Sequence, residues 1–325
     1  MEEMVVGSPE LVLAKIRELD DYLLVAHIHP DGDSIGSLLG LADLLEQLGK
    51  RWIIASAEEV PSSYRFLPGS EEIRVGTEGL SGSFRNVIAL DVSEALRLGD
   101  LQPVLAEAQV VINIDHHQGN SFPEPKYVRT SACATGELIY ELFLAAGLKP
   151  TVVGAKALYT AIMTDTGRFS HANTTQTALK IAAELVGLGA DPHHQYVEVY
   201  ERKDIRLLKL LAKVLDSLRL VCDGKVAYLV IDQETLAGFP LDMGDTENYI
   251  SYAQMIDGVQ IALLFREVEG GTTKVSWRSV PGVDVSRYAR DFGGGGHVNA
   301  AGCEIAAKPQ EAVQKVLEYL QSRIC

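Results

Sequence analysis

The chain is short of several things, and each scarcity removes a class of protein. Its four cysteines, Cys133, Cys222, Cys303 and Cys325, stand too far apart for a paired-cysteine zinc site, and no disulfide framework is expected. A reduced, cytoplasmic setting fits that usage. Basic charge is scarce too: 29 Lys and Arg against 44 Asp and Glu leave a formal charge of -15. That is the wrong sign for gripping long nucleic acid, which needs a basic stripe. A small phosphorylated ligand stays open, because bound metal ions reverse a local field. No apolar run is long enough to cross a bilayer, and Met1-Glu2-Glu3-Met4 is acidic where a signal peptide is basic. No membrane partner is expected.

What is present is enough to fold. A hydrophobic content of 47% over 325 residues supports a core in each of two domains. The richest stretch is His27-Ile28-His29-Pro30-Asp31-Gly32-Asp33-Ser34, which follows the apolar run Leu23 to Ala26. It reads as a buried strand, a Pro-Asp-Gly-Asp turn, and a helix from Ser34 with Ile35, Leu38, Leu39, Ala42 and Leu45 on one face. Crowded carboxylates repel unless something positive lies between them, so a divalent cation is one reading. Oxygen donors with one or two imidazoles favour Mn, with Mg, Co or Fe competing. The other reading is an Asx turn with Asp33 or Ser34 capping the helix.

The rest of the chain repeats the device. A helix is expected from Pro9 to about Leu19, a strand at Trp52 to Ala55, and an irregular stretch over 60–69. Strands Asn86 to Leu90 and Val110 to Ile114 run straight into Asp91 and into Asp115-His116-His117. Helices between these strands imply a parallel sheet, which gathers the carboxyl ends of its strands along one edge. Helices follow over 138–145, 152–163 and from the Asn173-Thr174-Thr175 cap to Leu188. The second of these is nearly all apolar and delivers Asp165, a costly residue to bury unless it is paired with Arg168 or bound to metal.

Residues 191–217 read as a mixed-charge helical connection. Beyond it come a strand at Val226 to Ile231, a hairpin of Val259 to Val268 with Thr272 to Ser279 around Glu269-Gly270-Gly271, and a last helix after Pro309. The expected class is α/β: a parallel-sheet domain over 1–190, the helical connection, and a smaller mixed-sheet α/β domain over 218–325. In the latter, Gly293-Gly294-Gly295-Gly296-His297 would let a backbone approach a ligand closely. Arg278, at a strand end, could fork onto a phosphate.

Taken together, His27, Asp31 and Asp33, the strand-end Asp91, Asp115-His116-His117 and Thr164-Asp165-Thr166-Gly167 resemble, in order, the four motifs of the DHH phosphoesterase superfamily. The segment Gly293 to Gly302 is similar to the nucleotide-binding motif of the DHH-associated C-terminal domain. The resemblance spans nearly the whole chain and is strongest to the compact two-domain oligoribonucleases that also dephosphorylate 3′-phosphoadenosine 5′-phosphate.

It implies a cytoplasmic hydrolase with two Mn ions, Mg or Co being alternatives. His27 and Asp31 would hold one ion, Asp33, His116 and Asp165 the other, with Asp91 bridging. His117 would contact the scissile phosphate with Asp115 behind it. Arg278, His297 and the backbone of Gly293, Gly294, Gly295 and Gly296 would hold the substrate. The implied substrates are short RNA, dinucleotides and nucleotide phosphates, cut by attack of a hydroxide activated between the metals. A cyclic or linear dinucleotide phosphodiesterase is the alternative within the superfamily. A homodimer is left open.

Overall fold

In the computed structural model, the structure describes residues 4–80, 82–202, 204–239, 246, 248–268 and 270–324, without the His297 side chain. Met1-Glu2-Glu3, Lys203, Glu269 of the hairpin turn, and Cys325 lie outside these described residues. The chain divides into two compact units, Met1–Arg202 and Lys203–Cys325. No helix among the described residues is long and apolar enough to cross a membrane.

The first unit runs β1 (Val5–Val6), α1 (Pro9–Glu18), β2 (Tyr22–Val25), α2 (Gly32–Gln47), β3 (Trp52–Ser56), β4 (Arg74–Val75) and β5 (Asn86–Leu90). It continues with α3 (Val104–Glu107), β6 (Val110–Asp115), β7 (Lys126–Arg129), α4 (Thr135–Ala146), α5 (Val152–Asp165), α6 (Gln176–Gly187) and α7 (Pro192–Tyr196). The strands form one sheet in the order β1-β7-β6-β5-β2-β3-β4. All neighbours pair in parallel except the edge pair β1 and β7. The inner strand β2 is buried throughout. Tyr22 and Leu24 enter the core shared with α1, α2, α4 and α5, while Leu23 and Val25 pack with Val87, Leu98 and Leu101. Burial on both faces explains why these strands read as unbroken apolar runs.

Helix α2 starts at Gly32, two residues before the expected Ser34, and its N-cap is Asp31 rather than Asp33 or Ser34. The reason is a reciprocal capping box: Asp31 Oδ1 accepts from the Ser34 amide at 3.0 Å, and Ser34 Oγ accepts from the Asp31 amide at 2.9 Å. A ridge of Gly32, Gly36 and Gly40 on α2 faces α5. A Cβ on Gly36 would stand 2.4 Å from the Ala157 carbonyl oxygen, and one on Gly32 would strike the Thr164 side chain. Bare glycines thus let the start of α2 meet the end of α5.

Residues 191–217 are not one continuous helix. After α7 comes a π-helical turn over Val197–Glu201, and helix resumes only at α8 (Ile205–Asp216), whose N-cap is Asp204.

The second unit contains α8, β8 (Arg219–Val221), β9 (Val226–Ile231), α9 (Gln233–Leu236), α10 (Ile250–Gln254), β10 (Ile261–Val268) and β11 (Thr272–Ser279). It ends with α11 (Val285–Asp291), β12 (Gly295–His297), β13 (Ala300–Ile305) and α12 (Pro309–Gln321). Its mixed sheet has the order β12-β13-β11-β10-β9-β8, with β9 and β10 parallel and β10 and β11 forming the expected hairpin. Cys222 is disulfide-bonded, a single bond rather than a framework, while Cys133 and Cys303 are free and buried.

Candidate metal centre

Parallel strands bring distant residues to one edge. Strand β2 leads to His27, β5 to Asp91, and β6 ends in Asp115 before His116 and His117. The first turn of α2 adds Asp31 and Asp33, and the last residue of α5 is Asp165. All six expected metal ligands therefore meet. Among the described residues, three sets could each hold an ion, their donor atoms lying within 4.8 Å of one another: His27, Asp31 and Asp91; Asp33, His116 and Asp165; and Asp91, His116 and His117.

The donor chemistry fits a cation. His27 Nδ1 lies 2.6 Å from the Ile28 carbonyl and His116 Nδ1 3.2 Å from the Ala132 carbonyl. Each imidazole thus donates its Nδ1 proton to backbone and turns its Nε2 inward, the arrangement that orients metal-binding histidines. His27 Nε2 stands 3.3 Å from Asp91 and 3.9 Å from Asp31. His116 Nε2 stands 3.6–3.8 Å from Asp91, Asp33 and Asp165. His29, the other histidine of the opening motif, faces away and pairs with Glu58.

The carboxylates are crowded, and Asp33 and Asp91 are also buried while Asp31 is exposed. Burial, then repulsion from neighbouring aspartates, raises Asp91 well above the usual carboxylate range and pushes Asp165 up to about 7; burial and Asp31 also raise Asp33. Burial works against the charged form of His116, but Asp33, Asp165 and Asp91 together push it up to about 9. Without a cation the site collects protons instead. Asp33 is partly relieved by the N-terminus of α4, where the Thr135 and Gly136 amides donate to it at 2.6 and 3.0 Å. Asp91 sits at φ 55 with 1% exposure, a left-handed backbone at a residue common to two of the three sets. Asp31 keeps its capping bonds while facing His27, so the turn and the metal reading involve the same carboxylate.

His117 is arranged differently. Its Nδ1 donates to Asp115 Oδ1 at 2.8 Å, and Asp115 in turn accepts from Asn120 at 2.7 Å. Those bonds outweigh burial and hold Asp115 below its usual range. Arg168 does not neutralise Asp165; its guanidinium lies 5.0 Å from the Tyr200 ring centroid.

The expected substrate residues lie in the second unit. Arg278 of β11 pairs across the sheet with Ala300, which pairs with His297, so these backbones share one row. Arg278 is half-buried and donates to the Trp277 carbonyl at 3.0 Å. Two of the four glycines serve strand packing: a Cβ on Gly294 would meet the Gly302 carbonyl oxygen at 2.1 Å, and one on Gly296 the Ala300 oxygen at 2.6 Å. Gly293 and Gly295 face open space. The His297 side chain lies outside the described residues.

Residues the motifs did not flag include Thr135, whose hydroxyl donates to Asp91 at 3.1 Å, and Asn173, which donates to the Cys133 carbonyl at 3.0 Å and reaches Asp165 at 3.4 Å. Neither type carries a metal signature by itself. Their role follows only from position.

Residues 21–184 match the family model for the DHH family, N-terminal domain, and residues 223–324 match the DHHA1 domain. The chain belongs to the DHH family of metal-dependent phosphoesterases and is a hydrolase acting on phosphodiester bonds. It is 33% identical, over 97% of its length and 94% of the relative's, to the bifunctional oligoribonuclease and PAP phosphatase NrnA of Thermus thermophilus. To the protein of the same name from Bacillus subtilis it is 30% identical, over 88% of this chain and 90% of that one. A crystal structure of an exopolyphosphatase-related protein from Bacteroides fragilis superposes with a TM-score of 0.90 at 27% identity, covering 100% of this chain and 99% of the other.

Proposed function

We propose that this chain is a Mn-dependent phosphodiesterase that degrades RNA of about two to five nucleotides to mononucleotides and also removes a phosphate from 3′-phosphoadenosine 5′-phosphate. The observation that carries the reading is the inward aim of two imidazole Nε2 atoms at four crowded carboxylates. The names of the Thermus and Bacillus relatives supply the substrates. An acidic chain suits a short substrate, which needs no basic groove to track a long backbone.

In this reading His27 and Asp31 hold one cation, Asp33, His116 and Asp165 the other, and Asp91 is shared. Divalent cations bound there would lower the pKa of water and neutralise charge on the phosphoryl oxygens. The chain's own groups do the rest. Asp115 fixes the Nδ1 proton of His117, leaving Nε2 to meet the scissile phosphate, where the imidazolium stabilises developing charge or gives a proton to the leaving oxygen. Arg278, the His297 segment and the Gly293 to Gly296 backbone hold the substrate's terminal phosphate or base. The chain is assigned as a catalytic domain over 1–190 and a substrate domain over 218–325, joined by 191–217.

The test is a side-by-side rate comparison on di-, tri- and pentaribonucleotides, cyclic dinucleotides, 3′-phosphoadenosine 5′-phosphate and pyrophosphate, with Mn, Mg or chelator. Fastest turnover of the short linear RNAs with Mn supports the proposal. Preference for cyclic dinucleotides or pyrophosphate, or equal rates in chelator, overturns it.

A further inference from the structure

One turn, residues 132–136, binds two members of one ion set directly and reaches the third through Asn173. The Ala132 carbonyl accepts from His116, the Thr135 and Gly136 amides hold both oxygens of Asp33, and the Cys133 carbonyl is tied through Asn173 to Asp165. The turn is itself locked from behind. Buried Glu137 accepts the Cys133 amide on Oε2 at 2.9 Å and the Arg129 guanidinium on Oε1 at 2.7 Å. Arg129 also binds Glu141 at 2.9 Å.

The other ion set is held by separate means. His27 is fixed by the Ile28 carbonyl and Asp31 by the first turn of α2, and the 132–136 turn reaches this set only through the Thr135 hydroxyl on the shared Asp91.

We infer that Glu137, clamped by Arg129, is a positioning residue that sets the affinity of the Asp33, His116 and Asp165 cation position and acts much less on the His27 and Asp31 position. The inference rests on the two-cation reading above. A glutamine at 137 places an amide NH2, which only donates, where one carboxylate oxygen accepts, so either the Cys133 amide or Arg129 meets a donor in place of its acceptor. Partners standing behind metal ligands typically govern affinity by about 10–100-fold.

The test is calorimetric titration of the full-length, metal-free chain with Mn alone, which needs no turnover. Asp165→Asn and His27→Asn identify the two binding events by deleting a ligand from each. Glu137→Gln is expected to weaken the event that Asp165→Asn removes by about 10-fold or more, with the other event and the melting temperature of the metal-free protein little changed. Asn173→Ser, which disturbs no buried ion pair, is expected to weaken the same event and guards against misfolding of the first variant. If folded Glu137→Gln or Asn173→Ser binds Mn as the wild type does at both positions, or loses affinity equally at both, the inference falls while the two-cation reading stands. A wild-type chain that binds no Mn sinks both.

Discussion

Asp91 carries opposite loads with and without metal. Its carboxylate belongs to two of the three possible ion sets and is shared by both cations in the proposed reading, yet burial and neighbouring aspartates make its charge unfavourable in the metal-free protein. Asp91→Asn should therefore lower activity by at least about 10³-fold while raising the metal-free melting temperature, since asparagine tolerates the left-handed backbone and removes a repelled charge. Calorimetry and turnover on a dinucleotide check the pair, and a variant that stays active refutes the assignment. His117 makes a cleaner separation of binding from chemistry. Because its Nδ1 is committed to Asp115, His117→Asn is expected to retain cation binding and lose about 10²–10⁴-fold in kcat.

At the scale of elements, the approach of α2 to α5 brings Asp33 and Asp165 to the same place. Gly36→Ala drives a Cβ toward the Ala157 carbonyl, so it should cost about 1–3 kcal/mol of stability and loosen cation binding, as read by denaturant melts and Mn titration. The strands and helices that carry the ligands were legible in the sequence because apolar runs stop at Asp or His. That pattern placed His27, Asp91 and His116 on one edge, while Asp165 joined them as a ligand only through the family resemblance. Short edge elements were not legible: β1 and β4 are two residues each, β12 is mostly glycine, and none has a pattern of its own. Nor was the direction of support. Thr135, Glu137 and Asn173 act through backbone amides and carbonyls, which every sequence has. The glycine run was read as room for a ligand, whereas Gly294 and Gly296 are also required by close contact with β13.

Across the whole molecule, the site links stability to pH. Asp165, with its folded pKa raised to about 7, holds a proton that the unfolded chain has released, so the metal-free protein loses stability as pH climbs from about 4 to 7. His116, raised to about 9, stabilises fully below its unfolded value near 6.5, and that contribution disappears as pH rises through 9. Both trends run downhill toward alkaline pH, where cations no longer compete with protons. Saturating Mn should accordingly raise the melting temperature more at pH 8 than at pH 5; scanning fluorimetry checks this, and an equal or reversed shift would contradict it. The effect has a local counterpart in Asp31, which caps α2 and faces His27 with the same oxygen. In the proposed two-cation reading, opening of that first turn frees the ligand oxygen, so hydrogen-exchange protection of the Asp33 and Ser34 amides is expected to rise when Mn is added.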